Sequence, residues 1–279
     1  MTRLLILLVA TLISFPIHAV KLNSKGEKMV SEIIFKKTDW DRDAPWRYTF
    51  TFGYDGENEI NQLRWRDTHG NSSVLERSSL GDISCVQYID EKVNPNYYYT
   101  FVTDGDGRIV EMGVYCRDLD KGALSGTKYM YEYDVNEFDL FISFKDYFQS
   151  RKGRPMTEEE GGKCMAVKLE NGNAIRYDKF KRFQDEKYFI TYSDHPDSLN
   201  IDISQLFYGF NCVGVGGSVD VNYPSLVQWI PVRSKNLIDY SRDHKFSYIS
   251  DNKGDINKVV VKSQYGAIVM YEIEIRYVE

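Results

Sequence analysis

Proline is scarce in this 279-residue chain, with 7 residues, and cysteine scarcer, with 4. No long apolar run follows the first twenty residues, so no later stretch reads as a helical membrane anchor. No HExxH, GxSxG or GxxxxGK[ST] pattern occurs, which removes the zincin, nucleophile-elbow and P-loop readings. Gly214-Val215-Gly216-Gly217 lacks the third glycine of a dinucleotide fingerprint and the strand–helix setting that fingerprint needs. Basic residues are outnumbered, 35 against 41 acidic, for a net charge of −6. No basic patch offsets that excess, so the surface repels phosphates and a nucleic-acid partner is excluded.

Aromatic side chains are abundant: 14% of the chain, including 21 Tyr and 15 Phe. That composition rules out a disordered or collagen-like chain. The aromatics recur with period two. Tyr48, Phe50, Phe52 and Tyr54 alternate with small or polar residues, as do Tyr97, Tyr99 and Phe101, and Tyr129, Tyr131 and Tyr133. Near the end Tyr271, Ile273, Ile275 and Tyr277 alternate with Glu272, Glu274 and Arg276. Alternation at two residues places one set on one face of a strand.

A turn pattern travels with these strands. Phe52-Gly53-Tyr54-Asp55-Gly56, Phe101-Val102-Thr103-Asp104-Gly105 and Tyr248-Ile249-Ser250-Asp251-Asn252 each lead, four residues further on, to Ile60, Ile109 and Ile256. Asp, Asn and Gly provide the side-chain-to-backbone bonds and positive φ that tight turns need. Each unit reads as a β-hairpin unable to bury its aromatic face alone. The expected fold is therefore all-β: antiparallel hairpin repeats forming one extended, twisted, partly rolled sheet. Most strands are expected to run six to eight residues. Ser150–Lys163 reads as an exposed connector, Phe138–Phe148 fits helix or strand, and Ser234–Arg242 suggests a short helix.

The N-terminus reads as an address. Arg3 precedes an apolar run, Leu4–Phe15, closed by Pro16 and a small residue at Ala19. This is a secretory signal over residues 1–19, leaving residues 20–279 as a single hairpin-repeat domain. No cysteine follows the run, so a lipoprotein is not expected. The chain is placed in the periplasm or outside the cell. Cys85, Cys116, Cys164 and Cys212 show no CxxC spacing. With Cys85 and Cys116 on non-neighbouring strands about 10 Å apart, buried free thiols are the preferred reading.

An aromatic-x-Tyr-Asp-x-x-Gly-x-Ile unit resembles the YD (RHS-type) hairpin repeat. Together with the export signal, the stretch Pro231–Ile238 and a closing pair of strands, it resembles secreted or lipid-anchored Bacteroides-type proteins of unknown function with a porin-like β fold. The resemblance implies export and many antiparallel hairpins, and implies no known activity. The chain departs from it in lacking the lipobox cysteine and in carrying few repeat copies.

Candidate chemistry is sparse. Sugars stack on aromatic rings, and Trp40 and Trp46, flanking the polar loop Asp41–Pro45, are the candidate glycan platform. Trp65, between Arg64 and Arg66, reads as core. Asp104 and Asp106 group oxygens of the kind calcium takes, although Arg108 breaks the EF-hand pattern and turns use the same letters. No acid/base pair stands out, so no catalytic residues and no cofactor are expected. The reading is a non-enzymatic envelope module, binding or structural, with glycan or an envelope protein as partner. An outer-membrane β-barrel, with Tyr271, Ile273, Ile275 and Tyr277 toward lipid, is the alternative. A glycan hydrolase or lyase is the second.

Overall fold

The computed structural model describes residues 21–38, 46–118, 122–150, 154–180, 185–203, 205–208, 223–232, 234–241, 244–263 and 268–279. Trp40, Cys212 and the signal segment lie outside them. The described residues form one antiparallel sheet of 17 strands. The first five are β1 (Val30–Lys37), β2 (Trp46–Tyr54), β3 (Ile60–Asp67), β4 (Ser72–Arg77) and β5 (Ile83–Ile89). A two-residue β6 (Lys92–Val93) precedes β7 (Tyr97–Thr103), β8 (Ile109–Asp118), β9 (Ala123–Val135) and β10 (Phe138–Gln149). Next come β11 (Thr157–Glu170), β12 (Asn173–Lys179) and β13 (Glu186–Pro196), then two one-turn helices, α1 (Gln205–Tyr208) and α2 (Tyr223–Leu226). The chain ends with β14 (Asn236–Ser241), β15 (His244–Ser250), β16 (Ile256–Ser263) and β17 (Val269–Tyr277).

Pairing runs from β7 in sequence order to β17, then through β1 and on to β6. β1 lies between β2 and β17, so the N-terminal strand joins the end of the chain to its beginning. The sheet rolls far enough that β5 and β7 lie side by side, yet it is not closed. The connection is fastened there by Asn94 N–H on the Gln87 carbonyl and Arg117 N–H on the Asn96 carbonyl. The expectation of one twisted, partly rolled all-β sheet holds.

The alternation decides which face is inside. Leu63 and Trp65 are buried while Arg64 and Arg66 are exposed. Ile273 and Ile275 are buried, and Glu272, Glu274 and Arg276 occupy the other face. There Lys36 pairs with Glu274, Lys258 with Glu272 at 2.7 Å, and Arg276 with Glu32 at 2.7 Å. The isoleucines that the barrel alternative set toward lipid are instead buried among the core residues. The packing comes from the segment between β13 and β14. Leu199, Ile201, Leu226, Val227, Trp229, Ile230 and Val232 join the strands' inward residues in one core.

Glycine makes room for one aromatic on the sheet. Tyr115 stacks on Tyr98 with centroids 4.7 Å apart. A Cβ on Gly126 would meet the Tyr115 ring at 2.3 Å and the Val114 carbonyl at 2.7 Å. The ring covers backbone that a side chain would otherwise occupy.

Several sequence expectations need correction. β9, β10 and β11 run 13, 12 and 14 residues, longer than anticipated. Thr157 and Glu158 belong to β11, opposite Phe148 and Tyr147. A strand with one solvated face tolerates the charges that suggested a connector. Asn236–Ser241 is a strand, not a helix, since its backbone pairs with β13 and β15. Phe138–Phe148 resolves as strand. Cys85 and Cys116 are free, as expected, but Cys164 is disulfide-bonded. Pairing in three dimensions had no signature in the spacing.

Candidate functional site

The hairpin turns at one end of the roll share one construction. In β2–β3, Asp55 Oδ1 accepts the N–H groups of Glu57 and Glu59 at 2.9 and 3.0 Å. In β7–β8, Asp104 Oδ1 does the same for Asp106 and Arg108, and in β15–β16 Asp251 does so for Lys253 and Asp255. Ser78 Oγ and Asn23 Oδ1 build equivalent turns. The left-handed residue is the fourth of each turn: Asn58, Gly107, Gly254, Gly81 and Gly26. Gly56 and Gly105, next to the aspartate in the first two turns, are not left-handed. These are type I turns completed by a bulge residue, rather than two-residue hairpins.

Tyrosines anchor the strands at this end. Tyr133 Oη donates to the Ile109 carbonyl at 2.7 Å, and Tyr277 Oη to that of Ile256 at 2.6 Å. Tyr54, Tyr192 and Tyr248 donate to Val30, Ala174 and Ile238. In each case the last inward side chain of an outgoing strand satisfies a carbonyl at the start of a neighbouring strand. Ile60, the first repeat isoleucine, receives Trp229 Nε1 instead, at 3.3 Å. Burial pushes the Tyr54 hydroxyl up to about 12, against the opposing pull of its bonds with Asn200 and Val30.

The segment between β13 and β14 caps this end. Val30 N–H donates to Asn200 Oδ1 at 3.0 Å, Ala174 N–H to Ser234 Oγ at 3.1 Å, and Ile109 N–H to the Trp229 carbonyl at 3.4 Å. This one connection therefore ties β1, β8 and β12 together.

Where the cap meets the β2–β3 and β4–β5 turns, a cleft of about 650 Å³ opens. Its walls carry Lys25, Glu59, Asn61, Arg77, Ser79, Gln228 and Trp229, among others. The Arg77 guanidinium lies 4.7 Å above the Trp229 ring and donates through Nη2 to the Gly107 carbonyl at 2.8 Å. Arg77 Nε is buried with no hydrogen-bond partner. Burial draws the Arg77 pKa down. Gln228, left-handed at φ 63°, donates to the Asn200 carbonyl at 2.9 Å.

Of the residues singled out from sequence, Trp46 begins β2 at the opposite end of the strand from Tyr54, and Trp40 lies outside the described residues. Trp65 is core, as read. Asp104 spends its oxygens on the turn: beyond the two N–H bonds, Oδ2 accepts Arg108 Nε at 2.8 Å. Burial alone would raise its carboxyl, but the bonds from Arg108 and the Asp106 backbone outweigh it and hold the pKa below the usual range. Asp106 sits 3.5 Å from Arg108. Among the described residues no group of three or more His, Cys, Asp or Glu is arranged to hold a metal ion. Sequence reasoning missed Arg77 and Trp229. Neither carries a local motif, and they meet only through the cap.

No family model matches the chain, and no curated protein does. Solved structures do. A porin-like protein from Bacteroides uniformis ATCC 8492 superposes with a TM-score of 0.54 at 13% identity, over 89% of this chain and 98% of its own. The fold is a porin-like one. A porin-like protein from Bacteroides vulgatus ATCC 8482 gives 0.53 at 11% identity over the same shares. At such identities the likeness concerns the fold.

Proposed function

We propose that this chain is an exported, non-enzymatic binding or structural module of the cell envelope, whose rolled sheet stands in water with its capped end as the working face. The observation that carries this reading is the inversion of the sheet relative to a lipid-spanning barrel. A bilayer demands an apolar outward face. Here ion pairs such as Lys258–Glu272 and Arg276–Glu32 occupy that face, and the isoleucines of β17 face a core filled by the cap. The porin-like neighbours and the export-type N-terminus support an envelope setting, and no described helix is long and apolar enough to cross a membrane.

The test is the behaviour of Val20–Glu279 purified without detergent. A monodisperse species that ignores liposomes in flotation is the expected result. Aggregation relieved by detergent, with liposome binding, would instead favour the outer-membrane barrel, a reading the long strands β9–β11 also suit. A thermal-shift screen against polysaccharides, with calcium and EDTA arms, then addresses ligands, since binding to the native state raises the Tm. Trp40→Ala and Trp46→Ala test the aromatic platform separately.

A further inference from the structure

Arg77 differs from the arginines that hold carboxylates on this molecule's strands and turns. Arg66, Arg108, Arg176 and Arg276 each pair with a carboxylate. Among the described residues Arg77 pairs with none. One Nη donates to Gly107, the ring of Trp229 lies against the guanidinium, and Nε is buried without an acceptor. A guanidinium has five N–H donors and no means of shedding its charge in a protein. Holding it half-buried without a counter-ion costs free energy. The side chain lines a cleft large enough for a sugar-sized ligand.

The neighbouring acids do not supply the missing partner. Asp55 Oδ1 accepts two turn N–H groups, Glu59 takes the Ser24 hydroxyl, and Glu27 takes Asn23 Nδ2 at 2.8 Å. Beside the carboxylates of Glu27, Asp55 and Glu59, the cleft walls present hydroxyl and amide groups from Asn61, Ser79 and Gln228. Such groups match the hydroxyls of a polyol.

We infer that the cleft is a binding site for a carboxylate flanked by hydroxyl groups, with Arg77 as its anion anchor. That chemistry belongs to the uronate units of acidic polysaccharides and to free hydroxy acids. This rests on the binding-module reading and names the site and ligand class within it. A carboxylate lying against the cleft-facing part of the Arg77 guanidinium supplies the absent counter-charge. Lys25 at the mouth adds a second cation.

The experiment is titration of Val20–Glu279, labelled with ¹⁵N-arginine, with trigalacturonate, galactotriose, gluconate and inorganic phosphate. Trigalacturonate is expected to bind, to shift the Arg77 Nε–H resonance, and to weaken as NaCl is raised. Arg77→Gln should weaken it about tenfold or more, the loss expected for a hydrogen bond to a charged group. Because Arg77 also supports the Gly107 turn, the Tm of that variant is measured alongside. Ser79→Trp obstructs the mouth without touching Arg77 and should abolish binding with the Tm retained. Gluconate binding as tightly as trigalacturonate identifies a free hydroxy acid as the ligand source and supports the site. Equal binding of galactotriose, unaffected by Arg77→Gln, overturns the anion anchor while leaving a binding module. Phosphate alone, or no probe, shifting the Arg77 resonance overturns the inference, whereas the detergent-free behaviour decides the broader reading independently.

Discussion

The hydroxyl of Tyr133 shows how a single residue serves both packing and polarity here. Its ring joins the core edge, Arg108 lies 4.6 Å over it, and its oxygen satisfies the Ile109 carbonyl. Tyr133→Phe keeps the ring and orphans the carbonyl. The expected loss is about 1 kcal/mol, measured by denaturant unfolding. Tyr54 is more connected, since its oxygen also accepts Asn200 Nδ2 at 2.9 Å, so Tyr54→Phe should cost more than Tyr133→Phe. A second residue-scale test concerns Gly126. An added methyl there meets the fixed Val114 carbonyl as well as the Tyr115 ring. Gly126→Ala should destabilise by about 1–3 kcal/mol through overpacking. A change below 0.5 kcal/mol, on the order of an ordinary surface substitution, would show that the ring and strand move aside freely.

At the scale of the element, the hairpin turn was legible and its internal geometry was not. Asp55, Asp104 and Asp251 stand where the sequence placed turns, and the following isoleucines restart the inward face. Asp, Asn and Gly marked the turns, and the structure places the positive φ on the fourth turn residue. The distinction is testable. Gly254 has φ 83° with open space around its Cα, so Gly254→Ala should cost about 1 kcal/mol through backbone strain alone. Gly56 also faces open space but is not left-handed. Gly56→Ala should change stability by less than about 0.5 kcal/mol. Equal effects at the two sites would contradict the bulge assignment. The length of β11 was hidden because its first residues, Thr157–Glu160, are polar, and polarity on one face does not forbid a ladder.

At the scale of the whole molecule, the buried tyrosines make an alkaline limit. The Tyr54 and Tyr129 hydroxyls are pushed up to about 12, in each case chiefly by burial. Tyr99, Tyr131, Tyr133 and Tyr277 are raised for the same leading reason. In the unfolded chain these groups ionise near 10. A raised folded pKa means that their contribution is fully present below pH 10. Above it the native state binds more protons than the unfolded state, so stability falls with rising pH across the window from about 10 to 12. Tyrosinate absorbance should therefore appear in two steps: exposed residues first, then the buried set together with loss of β-sheet circular dichroism. A single reversible titration with the fold intact would contradict the burial. The charged outer face carries a companion expectation, already stated, of solubility without detergent.

The sequence by itself determined many of the strands, their two faces and the position of most turns, because period-two alternation and Asx-type turn chemistry act between residues near in the chain. It also exposed the aromatic repeat whose tyrosines anchor neighbouring strands. Only the tertiary structure decided which face is inside, since alternation is symmetric until something fills one side, and here the segment between β13 and β14 fills it. It likewise decided that β1 bridges β2 and β17, that Cys164 is bonded while Cys85 and Cys116 are not, and that Arg77 comes to rest on Trp229. Those two residues are far apart in the chain and share no motif. What brings them together is the rolling of the sheet around its cap, a long-range packing event with no local signature.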